Sequence, residues 1–197
     1  MHINSHFAIG VIFASILNYF YNFPLFDFVL IVLFSFVCDL DVFFAKYAIK
    51  HNHRMLISHS IIPPFLLLIV GVILNWPALV YSGAAYSIHV IIDTFDWGTN
   101  FFYFKKKPIG LKLLITKEEI ENLPEYLSKF KKAESFFDSK YYNSKISLGI
   151  EAMLFILMMV FIIIFALEFV LISLFYFLGL YFHLSRHFKL KKIEAKK

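Results

Sequence analysis

The sequence predicts an all-α integral membrane protein, and three observations carry that prediction. Of its 197 residues 60% are apolar and only 17% charged, where globular chains run at about a quarter charged. Mean hydropathy is +0.72. Residues 7–21, 28–38, 61–74, 148–167 and 169–182 contain no Lys or Arg. A soluble helical protein would have too little polar surface to cover such a core. Some runs fall short of the roughly 20 residues of a spanning helix, but their Tyr, Asn and Trp flanks suit the membrane interfaces and extend them.

Helix one is expected over residues 5–21. Its start, Met1-His2-Ile3-Asn4-Ser5-His6, has neither a basic region nor a small-residue cleavage pattern, so this run reads as a retained span. Pro24 disfavours a helical Phe23 and ends it. Helix two runs about 26–45, with a break near Asp39. A polar loop, 46–56, holds Lys46, Lys50, His51, His53 and Arg54. Helix three starts near His59, takes Pro63 and Pro64 in its first turn, and stops at Asn75-Trp76-Pro77. Helix four covers 78–95 and closes at Trp97-Gly98.

Residues 105–146 change character. Lys105-Lys106-Lys107-Pro108 is a basic turn, and Ile120, Leu123, Tyr126, Leu127 and Phe130 recur at helical spacing over 117–132, as in an amphipathic helix. The tract 148–184 is too long for one ordinary span, since at 1.5 Å per residue it would reach about 55 Å. Glu168 interrupts it. About six spans are therefore expected, with five as the alternative. The whole chain, 1–197, reads as one membrane domain: metal-site helices in 1–104, a side loop with its amphipathic helix in 105–146, and C-terminal hydrophobic helices in 147–188.

Charge topology favours six. With six spans all 19 Lys and Arg residues fall on one side together with both termini, and the positive-inside bias makes that side cytoplasmic. The net charge of +5 then needs no nucleic acid, and none is expected. The single Cys38 excludes an intrachain disulfide framework.

Against this background the polar residues stand out. Uncompensated carboxylates and imidazoles are costly among hydrocarbon. The six-span path brings His6, Asp39, Asp41, His59, His89 and Asp93 to one depth on one side. His89 and Asp93 are four apart and share a helix face, whereas Asp39 and Asp41, two apart, need an opened turn to act together. These six are the expected ligands of one or two divalent ions. Imidazole with carboxylate suits Zn first, with Mn or Fe as alternatives. Asp41 has a second possible part as general base. Arg54, a donor without an acceptor, is expected to clamp an anionic phosphate. Ser58 and Ser60 are capping or orienting candidates, and Asp96, Asn100 and Glu151 are weaker site candidates. His2, His51, His183 and His187 read as bystanders.

These segments resemble the YdjM-like membrane-bound metal-dependent hydrolases. The similarity rests on His6-Phe7-Ala8-Ile9-Gly10, Cys38-Asp39-Leu40-Asp41, His53-Arg54 leading to Ser58-His59-Ser60, and His89-Val90-Ile91-Ile92-Asp93 followed by Trp97-Gly98. It covers about residues 1–104. Cys38 stands where the family has Pro, and Met55 where it has Gly. The resemblance implies hydrolysis and adds His53 to the catalytic candidates. The resulting expectation is a metal-dependent hydrolase at the cytoplasmic membrane interface. It would cleave a phosphoester of a lipid or lipid-linked substrate with metal-activated water, as a phosphodiesterase or phospholipase-like enzyme. The competing class is a non-catalytic metal-binding scaffold or a transporter. Apolar midspans disfavour transport. Oligomeric state is not legible.

Overall fold

A computed structural model describes residues 3–48, 52–104 and 108–196. Helix α1 is Ile3–Tyr21 and α2 is Leu25–Phe34, followed by a 3-10 helix, Val37–Tyr47. Two short 3-10 turns, His53–Met55 and Ile57–His59, lead into α3, Ile62–Ile73, and α4, Pro77–Asp96. Three short helices follow: α5 Lys117–Glu121, α6 Leu123–Ser128 and α7 Ala133–Asn143. Then come α8, Lys145–Phe165, the 3-10 stretch Leu167–Ser173, and α9, Leu174–Ala195. Strands are absent among the described residues, apart from an isolated bridge between Thr99 and Ile109.

The all-α membrane fold is as expected, with fewer spans. Four stretches are long and apolar enough to cross a bilayer: Ile3–Tyr21, Pro77–Asp96, Lys145–Phe165 and Leu167–Ala195. A fifth arises if α2 and Val37–Tyr47, bent by 42°, form one span. The shortfall lies in α3. Its 12 residues reach about 18 Å, against about 30 Å of hydrocarbon. Residues 59–61, expected in its first turn, fold inward with the preceding loop instead, and Arg54, Met55, His59 and Ser60 are buried.

Two matching turns set the far end of the bundle. Asn22 and Asn75 adopt left-handed φ of 47° and 49°, a conformation Asn tolerates at helix C-termini. In both places an aromatic residue and a Pro follow and launch the next helix. The Trp76 indole donates to Asp27 at 3.1 Å, and the Tyr81 hydroxyl bonds that of Tyr21. Asn18 donates to Glu168 at 2.7 Å, so the break after α8 lies at the same end as the end of α1. Phe28, Ile31, Val11, Met158 and Ile162 are buried between α1, α2 and α8. α3 and α4 pack closely because Gly83 has no side chain; a Cβ there would sit 2.9 Å from the backbone of Leu68 and Pro64.

The expected amphipathic helix over 117–132 is split in two. Thr116 and Glu119 form a reciprocal capping box at its start. Pro124, in the first turn of α6, cannot donate to continue α5. α7 caps the opposite end of the bundle from the two Asn turns, where Phe137 packs edge-on to Trp97. The basic turn at 105–107 lies outside the described residues, as do His2 and His51.

Candidate metal centre

Each wall of the centre is placed by a local sequence feature. Gly10 allows α1 and α2 to touch, because a Cβ there would collide with Ser35 Oγ. Ser35 Oγ donates to the His6 carbonyl at 3.0 Å. The Ser35 carbonyl in turn accepts from His89 Nδ1 at 2.8 Å. On α4, His89 and Asp93 share one face, and Gly98, at φ 81°, ends the helix with a bond from its N–H to the Asp93 carbonyl. Thr99 Oγ1 donates to the His59 carbonyl at 2.6 Å, and the Tyr86 hydroxyl donates to the Ser58 carbonyl at 2.6 Å. The inward loop is thus tied both to α4 and to the segment that follows it.

The 3-10 helix resolves how Asp39 and Asp41 act together. In an α-helix residues two apart point about 160° apart, but at three residues per turn they point about 120° apart. The two carboxylates therefore straddle the ring of His59. Asp41 Oδ2 lies 3.0 Å from Nδ1 and Asp39 Oδ1 lies 3.5 Å from Nε2.

Four donor atoms converge: Asp39 Oδ1, His59 Nε2, His89 Nε2 and Asp93 Oδ2. His59 Nε2 to Asp93 is 3.4 Å, His89 Nε2 to Asp93 is 3.4 Å, and His89 Nε2 to Asp39 is 3.6 Å. Ligands about 2.0–2.2 Å from a tetrahedral ion sit about 3.3–3.6 Å apart. Both carboxylate oxygens of Asp93 and Nε2 of both imidazoles are buried without a well-formed hydrogen bond. Such orphaned atoms are costly unless something satisfies them. The four residues form a buried group that can hold a metal ion. Cys38, His59 and His89 form an overlapping group, as do Asp41, His53 and His59.

No family model, curated protein or solved structure matches this chain. The chemistry must therefore be read from the geometry. Nδ1 of His89 is engaged by a backbone carbonyl and Nδ1 of His59 by Asp41, which aims each Nε2 lone pair into the centre. Asp41 sits behind His59, also accepting from Ser58 Oγ and from His53 Nδ1, the latter at 2.9 Å. His6 differs from the other two imidazoles. Its ring stacks on His89 with centroids 3.8 Å apart, its Nε2 is 3.3 Å from Asp93 Oδ1, and neither nitrogen makes a hydrogen bond.

Arg54 is engaged within the protein. Its fork grips Asp96 at 2.7 and 3.2 Å, and Nη2 lies 3.2 Å from Asp93 Oδ1. The expected phosphate clamp is thus an internal ion pair that positions Asp93. Asp96, a weak candidate by sequence, anchors it. Asp39, Asp41, Asp93 and Asp96 set four carboxylates around one guanidinium and the ring of His59. Further positive charge, as protons on the imidazoles or as a metal ion, is needed to balance them. Around His59, burial on its own would lower the imidazole, but Asp39 and Asp41 override it and hold the ring up at about 9.

Other candidates lie elsewhere. Glu151 accepts from the Tyr141 hydroxyl at 2.5 Å, and Asn100 donates to the Met55 and Tyr103 carbonyls. Ser60 donates to the Ile57 carbonyl and accepts from Ile62 N–H. His187 pairs with Asp138 and His183 with Tyr142. A cavity of about 510 Å³ between the 113–114 segment and α5–α7 is walled by the Glu119–Lys140 ion pair, away from the centre. Ser35 was missed by sequence reading, because a backbone carbonyl that accepts from a distant imidazole leaves no side-chain signature.

Proposed function

We propose that this chain is a membrane-embedded metal-dependent hydrolase of the YdjM-like kind, cleaving a phosphoester of a lipid or lipid-linked substrate at the cytoplasmic interface. The observation that carries the reading is the convergence of four donor atoms within 4.8 Å of one another, with His–Asp separations of 3.4–3.6 Å, three of the residues buried and the fourth, Asp39, 14% exposed. Zn is the ion this imidazole and carboxylate set fits best, with Mn and Fe as alternatives. A divalent ion supplies Lewis acidity, acidifying water and polarising a phosphoryl oxygen.

The chain's own residues would do the rest. Asp41 and the Ser35 carbonyl orient His59 and His89. Arg54 holds Asp93 while Asp96 fixes Arg54. His53 is 24% exposed and hydrogen-bonded to Asp41. It is the most exposed of the imidazoles around the centre and would be the one to exchange protons with solvent, with Asp41 holding its ring. His6 and Asp93 Oδ1 form the inner wall.

A second reading has one observation in its favour. Four protein ligands are enough to close a tetrahedral shell, as in structural sites, which would make the centre a non-catalytic scaffold. Metal analysis of purified protein, with turnover of phosphodiesters and phospholipids measured beside His59→Ala and Asp93→Ala, separates the readings. A hydrolase loses both metal and turnover in these variants. Bound metal with no turnover by the parent chain supports the scaffold, and full turnover in both variants overturns the site.

A further inference from the structure

We propose that the 3-10 helix Val37–Tyr47 lies in the membrane leaflet and is the edge along which a bilayer lipid reaches the centre. Its first turns direct Asp39 and Asp41 at His59. Leu40 and, in the turns that follow, Phe43, Phe44 and Tyr47 are exposed, at 42%, 78%, 60% and 72%. Aqueous surfaces rarely carry such a run.

The occupant follows from continuity. On α2 the exposed side carries Phe26, Val29 and Leu33, a face that hydrocarbon covers in a membrane helix. Across the 42° bend the part-buried Phe34, Phe36 and Val37 keep the chain apolar, and exposed apolar residues resume at Leu40. Where this apolar stretch ends, Lys46 sits 4.8 Å from the centroid of the Tyr47 ring. An aromatic residue with a cation at the end of an apolar strip is the composition of the headgroup boundary. Phe102 and Phe104 are also exposed. They follow Asn100, whose N–H donates to the Arg54 carbonyl, so this second apolar segment flanks the same inward loop. The partly exposed carboxylates, Asp39 and Asp41, lie on the helix that touches lipid. A headgroup would thus come to the centre sideways from the leaflet.

The insertion half of this proposal stands alone, and the access half rests on the hydrolase reading. Nitroxide labels on Phe43→Cys, Phe44→Cys and Tyr47→Cys are read in phosphatidylcholine–phosphatidylglycerol vesicles by collision with oxygen and with a water-soluble nickel chelate. The parent chain, whose Cys38 is buried, is the blank. Ile164→Cys on α8 marks lipid, and Glu134→Cys on α7 marks water. Oxygen-rich, nickel-poor signals like those at 164 are expected. Nickel exposure like that at 134 overturns insertion, and so does protection from both probes, which would mean that a protein partner covers the face. In the turnover arm, Phe43→Glu with Phe44→Glu is expected to lose at least tenfold on a bilayer phospholipid and to keep its rate on a monomeric short-chain ester of the same headgroup. Equal loss on both overturns the access half. Absence of turnover by the parent chain on either substrate overturns the hydrolase reading and the access half with it, while the label signals still decide insertion.

Discussion

Asp41 holds His59 by the back of its ring: Oδ2 stands 3.0 Å from Nδ1, which leaves Nε2 facing Asp39 and Asp93. The carboxylate also takes Ser58 and His53, so one side chain orients the imidazole and ties the inward loop to Val37–Tyr47. Replacing such an orienting partner of a metal-bound His typically costs about 10–100-fold in affinity. Asp41→Asn is expected to weaken metal binding by that amount, and His59→Ala by considerably more. Chelator competition in detergent measures both. Equal loss in the two variants would make Asp41 a ligand itself.

His59 also sets a pH dependence. In the metal-free protein its imidazole is held up at about 9, so at neutral pH a metal must displace a proton. Below that value apparent affinity is expected to fall about tenfold per pH unit, and above it to level off. Metal titrations at pH 6.5, 7.5, 8.5 and 9.5 test the sign, and an affinity that is flat across them would rule out proton displacement at His59.

Gly10 acts on the centre from a distance. A methyl group at this position meets Ser35 Oγ, and overpacking of this kind costs about 1–3 kcal/mol. Gly10→Ala is expected to lower thermal stability by that much. It should also reduce metal affinity, because the displaced Ser35 carbonyl no longer orients His89. Ser35→Ala keeps the carbonyl and should retain more of the affinity. Melting curves read with and without metal distinguish packing from orientation.

Arg54 and Asp96 form a buried pair, and removing one member of such a pair typically costs about 3–5 kcal/mol. Arg54→Ala and Asp96→Ala are each expected to fall in this range. The double variant should be less destabilised than the sum of the two, as coupling between contacting groups requires. If Arg54→Ala instead leaves stability intact and only raises KM, the residue meets substrate and the ion pair is incidental.

The helical membrane fold was legible in long runs without Lys or Arg, because hydrocarbon burial imposes a compositional signature on each segment separately. His6, Asp39, Asp41, His59, His89 and Asp93 stood out in the sequence for a related reason: polar groups in such runs need compensation. Helix spacing placed His89 beside Asp93, and the turns at Asn22 and Asn75 fell where their Pro neighbours marked them. Other features depended on contacts between distant segments. A break near Asp39 and an opened turn were expected, but Asp39 and Asp41 flank one imidazole because the chain after α2 tightens to three residues per turn. α3 is short because residues 52–61 turn inward to bury Arg54 and His59. Arg54 faces Asp93 and Asp96 rather than solvent because α4 brings both carboxylates to it. Periodicity records which face of a segment is buried, while the partner across that face is chosen by packing, and the pairing of these carboxylates with these imidazoles was decided there.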